Sequence, residues 1–241
     1  MSEYIDRWRC RYGAERHSLN SRKLIWWIGI PGALLVLGVM AFAIFEPIQV
    51  LPRIRLSPGY LLEDQAGESF TSEDVRGDIV LYTFRHSGCG DECDGLDQTM
   101  IDVRNRLGEV DMGDTDFRLV TISFDPATDT TEVLTAEADA FGADGVQWRF
   151  ATGEEAHLAN VVKAGFRVWY EEQSDGSFSF DPALILVDGW GVIRGEYEYQ
   201  MIKSDADKII HHLDILTEEI RNANGAAGLA YEAAHLFLCY P

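Results

Sequence analysis

The chain of 241 residues carries 20 basic against 40 acidic side chains, a formal net charge of −20, and 46% hydrophobic residues. That length holds one domain of ordinary size plus an appendage, and that charge argues against a nucleic-acid role, because phosphates would be repelled. The charge is uneven: six basic residues (Arg7, Arg9, Arg11, Arg16, Arg22, Lys23) and three acidic ones (Glu3, Asp6, Glu15) precede position 24, leaving −23 for the remainder.

Residues 24–45 contain no charged side chain, and 22 residues rising 1.5 Å each cross about 30 Å of hydrocarbon. The stretch predicts one N-terminal transmembrane helix. Trp26 and Trp27 lie at one end and Arg22-Lys23 just outside, which puts residues 1–23 in the cytoplasm and everything after the helix on the extracytoplasmic side, periplasmic or intermembrane. Ala41-Phe-Ala43 resembles a signal-cleavage site, but the apolar run exceeds the roughly 7–15 residues of a signal core. The helix is therefore read as an uncleaved, single-pass cell-membrane anchor. The cysteines at 89 and 93 then lie where disulfides persist, while Cys10 stays inside.

Residues 46–58, with Pro47, Pro52 and Pro58, read as an extended linker, and a domain over 59–222 follows. Its first strands form a hairpin turning at Gln65 to Gly67. Residues 79–84 are an apolar, β-rich run bounded by Gly77 and Ser87-Gly88, and Leu96, Met100, Val103 and Leu107 then recur at helical spacing. Further along, 117–124 is a second buried strand ending in Asp125-Pro126, and Thr130 or Thr131 caps a helix through Phe141 stopped by Gly142. A short strand at 147–151 precedes a helix over 153–164 that ends at Gly165. Segments 166–170 and 177–180 flank Ser174-Asp-Gly176 as a hairpin. Strands 183–187 and 192–197 pair across Asp188-Gly189, and Ser204 caps a closing helix from 205 to about 222. Strands alternating with helices, closing in a hairpin and a helix, predict an α/β fold on a mixed sheet.

Cys89 and Cys93 fall where the central strand meets its helix. Three intervening residues put their Cα atoms roughly 6 Å apart, inside disulfide range. The pair fits a redox bridge, a clamp for a soft metal, or an inert structural disulfide. The first thiol would feel the positive end of the helix, which favours the thiolate, while Asp91, Glu92 and Asp94 oppose a second negative charge.

Four stretches carry a resemblance to a known family. They are Leu62-Glu-Asp-Gln-Ala-Gly-Glu with Val75-Arg-Gly-Asp-Ile-Val-Leu; the Cys89/Cys93 pair; Val120-Thr-Ile-Ser-Phe-Asp-Pro-Ala-Thr-Asp-Thr with Phe141-Gly-Ala-Asp; and Trp148-Arg-Phe-Ala-Thr-Gly with Leu184-Ile-Leu-Val-Asp-Gly. Over roughly 60–222 the chain resembles the SCO/SenC proteins, thioredoxin-fold copper proteins that help assemble the copper centre of cytochrome oxidase. The resemblance implies a thioredoxin-like fold, a Cys89/Cys93 copper or redox site, and a respiratory complex or cytochrome oxidase subunit as partner. It also implies a proline after the first cysteine, where Gly90 stands, and a histidine copper ligand at the position of Phe180. His86, three residues before Cys89, is the nearest substitute donor, although a histidine at a strand end is more often solvated or bonded to backbone. His157, His211 and His212 read as surface or packing residues; Asp125 and Asp129 match the family, and Asp125 before Pro126 reads as a turn and cap.

Two thiolates alone suit Cu(I), whereas Cu(II) wants imidazole or oxygen donors, so with the family histidine missing copper is expected to bind weakly or not at all, Cu(II) least of all. Thiol–disulfide exchange needs no histidine. Two functions follow: a membrane-anchored protein handling copper or thiol redox state for a copper-containing terminal oxidase, or a degenerate non-copper domain serving as an accessory subunit of a respiratory electron-transfer complex. A thioredoxin-fold peroxidase is disfavoured, since its Pro-x-x-x-Thr/Ser-x-x-Cys loop is missing. The apolar tail at 223–241 is expected to dock on a partner subunit or the membrane surface rather than fold back on its own domain.

Overall fold

The computed structural model describes residues 21–45, 48–198, 206–223 and 225–237. The chain divides into two compact units, Met1–Pro47 and Ile48–Pro241. In the first, α1 (Ser21–Phe45) is 25 residues long with Pro31 inside it. Among the described residues no helix is long and apolar enough to cross a membrane. Side chains in α1 are described only at 26–27, 29–38 and 40, so the expected span at 24–45 lies partly outside them, as do Cys10, Ser204 and Cys239 entirely.

The second unit is built on an eight-stranded mixed sheet in the order β1-β10-β9-β4-β5-β6-β2-β3. Its strands are β1 (Arg55–Leu56), β2 (Leu61–Asp64), β3 (Ser69–Thr71), β4 (Ile79–Arg85), β5 (Phe117–Ser123), β6 (Trp148–Thr152), β9 (Ala183–Val187) and β10 (Val192–Glu198); β7 (Tyr170–Glu172) and β8 (Phe178–Phe180) form a separate hairpin. All seven residues of β4 are buried, because it lies between parallel β5 and antiparallel β9 with both faces covered. Helix α2 (Asp94–Arg106) packs against α5 (Ala206–Arg221), and α3 (Thr131–Phe141) against β6 and β2. The mixed-sheet α/β expectation and the hairpins across Gln65–Gly67 and Asp188-Gly189 hold.

Three readings need correction. Residues 48–58 are extended but are not a free linker: Val50 and Leu51 are fully buried, and Arg55 and Leu56 pair with Ile193 and Val192. The helix after Gly153 begins as α4 (Glu155–Ala159), continues as a π-helical turn (Asn160–Phe166), and ends at Arg167 with φ 61° rather than at Gly165. Gly165 serves packing instead, since a Cβ there would stand 2.5 Å from Pro58. Third, the described part of the tail, α6 (Gly225–Phe237), packs on its own domain. Tyr231 and Ala234 close over Val50, Glu232 pairs with Arg53 at 2.8 Å, and His235 Nε2 meets Glu219 Oε1 at 2.8 Å, while Leu229 stays exposed.

One buried cation ties these pieces together. The Arg194 side chain is 1% exposed and donates to Asp188 (3.0 Å), Glu219 (2.6 Å) and the backbone carbonyls of Leu51 (2.9 Å) and Pro52 (3.2 Å). A guanidinium that deep persists only when most of its donors are matched in this way.

Candidate dithiol site

The site forms at the carboxyl ends of the parallel strands β4 and β5. Arg85 and Ser123 are in register there, and the Phe124 amide donates to the Arg85 carbonyl at 3.1 Å, so the next residues, His86 and Phe124, emerge side by side. From His86 the chain enters a 3-10 segment, Ser87–Glu92, broken at Gly90 (φ 50°, ψ −133°). The Cys89 amide donates to the His86 carbonyl (3.2 Å), that of Cys93 to Gly90 (3.0 Å), and that of Asp97 to Cys93 (2.9 Å).

Cys89 and Cys93 are joined as a disulfide, with Cα atoms 5.7 Å apart, matching the expected separation. It is the second cysteine, not the first, that sits at the helix N-terminus: Cys93 is the N-cap of α2, and Cys89 lies outside in the 3-10 segment. Cys89 retains 7% exposure and Cys93 none. Reagents therefore meet Cys89 first. Gly90 holds a backbone conformation that a proline, fixed near φ −65°, cannot take. This loop is accordingly shaped differently from one carrying the proline that the resemblance implies.

Asp129, in sequence only a match to the resemblance, anchors the loop. Fully buried, it accepts hydrogen bonds from the Ser87 amide (3.0 Å) and from the hydroxyls of Ser87 and Ser123, so one carboxylate joins the exits of β4 and β5. Asp125 does cap its turn, accepting from the Thr128 amide at 3.2 Å. Beside the loop, buried Arg85 spans Asp97 (2.9 Å) and Glu137 (3.2 Å). Burial pushes the Asp97 carboxyl up to about 6, with Asp94 adding and Arg85 opposing; Glu137 is likewise raised by burial against Arg85.

His86 is buried rather than solvated. Its ring is 8% exposed and packs between Phe178 (5.1 Å), Phe124 (5.5 Å) and Phe180 (6.0 Å). Tyr170 stacks on Phe124 at 4.5 Å, so the β7–β8 hairpin is held to the site by aromatic rings. Among the described residues no three His, Cys, Asp or Glu side chains converge as a metal set. The donor chemistry at hand is two sulfurs, available as thiolates only after reduction. His157 accepts from the Leu61 amide, and His212 packs against Tyr197, both far from the thiols in role.

Comparison with known proteins agrees with this architecture. The SCO1/SenC family model matches residues 50–217. A Stutzerimonas stutzeri protein carrying a copper-binding name is 29% identical over 152 residues, 61% of this chain and 72% of its own. Among solved structures, BsSco, described with a disulfide switch and as a member of the Sco family of cytochrome c oxidase assembly proteins, superposes with a TM-score of 0.59 at 18% identity, covering 70% of this chain and 98% of its own. Copper-bound yeast Sco1 superposes with a TM-score of 0.56 at 21% identity, covering 77% and 99%.

Proposed function

Because the chain belongs to the SCO1/SenC family, with Cys89, Cys93 and Asp129 all inside the matched stretch, we propose that it is a membrane-anchored thiol–disulfide oxidoreductase acting on a copper-containing terminal oxidase. The observation that carries this reading is the bridge between an outer and an inner cysteine at the carboxyl end of β4. In the reduced protein the Cys89 thiolate attacks one sulfur of a partner disulfide, and the partner's other sulfur leaves as a thiolate that takes up a proton. The Cys93 thiolate then attacks Cys89 Sγ, closing the bridge and releasing the partner's second thiolate. Two electrons pass to the partner, and the protein ends oxidised.

Copper, in this reading, is cargo. Two thiolates fit Cu(I), while Phe180 offers no donor for the nitrogen-containing set that Cu(II) prefers. Support for the anchor comes from the uncharged run at 24–45 and the basic residues before it, a pattern that favours a dithiol domain outside the cytoplasm. The test is a Cys93→Ser variant expressed in its native membranes. It should capture, through Cys89, a mixed disulfide with a subunit of a copper-containing oxidase. Capture through Cys93 in the Cys89→Ser variant alone would reverse the order of attack, and stable copurification with a respiratory complex without any thiol capture would favour the accessory-subunit reading instead.

A further inference from the structure

Where β5 ends lies a groove lined by three aromatic rings, Phe124, Tyr170 and Phe178. It reaches the disulfide loop through one residue: Phe124 and Phe178 pack on His86, whose carbonyl accepts the Cys89 amide. The walls are carboxylates from three different segments, Asp125 after β5, Glu154 and Glu155 at the start of α4, and Glu172 on β7. The groove already holds one cation of the chain's own. Lys163 Nζ stands 4.0 Å from the centre of the Tyr170 ring, and Glu155 is close enough to act electrostatically on the Tyr170 hydroxyl. An aromatic face with an ammonium over it and carboxylates around it is a receptor for cationic side chains.

Resting on the thiol-exchange reading above, we propose that this groove seats a basic protein segment, a Lys- or Arg-bearing stretch flanking the partner's own cysteines, with Lys163 as the internal stand-in for the incoming cation. The occupant is set by complementarity. An acidic wall repels acidic peptides and raises the encounter rate of basic ones, and apolar stems of lysine or arginine lie along aromatic floors while the heads reach carboxylates. Seated there, the segment holds the partner disulfide over Cys89, the more exposed of the two cysteines.

The test uses the full chain in nanodiscs at physiological salt and two cysteine-free peptides, one with alternating Lys and Arg, the other with Ser at those positions. The basic peptide should bind at least tenfold more tightly. A Glu154→Gln/Glu155→Gln/Glu172→Gln variant should lose most of that preference, while Glu68→Gln/Asp114→Asn/Asp139→Asn, equal in charge but remote in position, should stay within twofold of the parent. Equal affinity for both peptides, or equal loss in both variants, would overturn the groove and leave only the chain's overall acidity. Reduction of a small uncharged disulfide, measured in parallel, depends on Cys89 and Cys93 alone. Its failure would overturn thiol exchange without touching the peptide result.

Discussion

The rings of His86 and Phe180 meet edge to face with their centres 6.0 Å apart, so the position where the resemblance implies a histidine ligand is filled by a phenyl ring packed on another imidazole. Phe180→His would put a nitrogen donor there. The variant should bind Cu(II) at least tenfold more tightly than the parent in the reduced state, read by the thiolate–copper charge-transfer band. It should also lose about 1–3 kcal/mol of stability, because the ring contact with Phe124 at 5.4 Å is given up. No gain in Cu(II) affinity would mean that the surrounding backbone, not one side chain, has departed from a copper site.

Gly90 supplies a second test. A Cβ there would have open space around it, so Gly90→Ala costs only the strain of φ 50°, on the order of 1–3 kcal/mol. Denaturant midpoints should show this loss in the oxidised protein. In the reduced protein, where the bridge no longer fixes the loop, the loss should shrink.

Reduction itself should leave a folded domain. The bridge closes a loop of sequence separation 4, for which chain-entropy estimates give about 2 kcal/mol, a downward shift of several degrees in Tm for a domain this size. Mass spectrometry of the unreduced protein should find Cys89 and Cys93 two hydrogens lighter. Unfolding on reduction would exclude a redox cycle.

Two opposed groups, Asp97 and His212, both contribute to the pH dependence of stability. Asp97, raised to about 6, stays protonated in the fold over a range where the unfolded chain has ionised, so its contribution is present below pH ~4 and lost as pH rises towards 6. His212, pushed down to about 4 by burial and by Lys208 and His211, does the reverse, and stability falls as pH drops from 6.5 to 4. The two slopes offset each other in the parent. Asp97→Asn removes one of them, so its unfolding free energy should fall more steeply on acidification between pH 6.5 and 4 than the parent's. An identical slope in both proteins would show that Asp97 is not titrating in this window.

Truncation after Asn222 uncovers Val50 and takes His235 and Glu232 from Glu219 and Arg53. The loss should be about 1–3 kcal/mol, visible as a drop in Tm. An unchanged Tm would restore the view of the tail as an independent docking element.

Much of this was readable in the residues. Apolar, β-rich runs named β4 and β5, Asp188-Gly189 named the last hairpin, and Gly142 ended α3 with φ 62°. The two cysteines were legible as a pair because a compact turn over four residues brings their Cα atoms within disulfide range. What escaped depends on contacts between distant segments. Asp129 has no role in its own neighbourhood that reveals the anchor, which exists because Ser87, 42 residues away, donates to it. The edge strand β1 has only two residues and takes its order from β10, and the π-helical turn at Asn160–Phe166 has no periodicity of its own to announce it. Nor could an apolar tail say which surface it covers, since Val50 lies far off in the sequence.

The position of Arg194 also orders events during synthesis. Its guanidinium holds the carbonyls of Leu51 and Pro52, near the start of the domain, and the carboxylate of Glu219, near its end. The early segment therefore cannot settle when it leaves the ribosome, because the cation that satisfies its carbonyls is still to be made, and that cation is not neutralised until the closing helix follows. At about 5–20 residues per second this leaves the first strand waiting roughly ten to thirty seconds. During that interval Val50 and Leu51 are uncovered apolar surface, and the nascent chain has most need of a chaperone there.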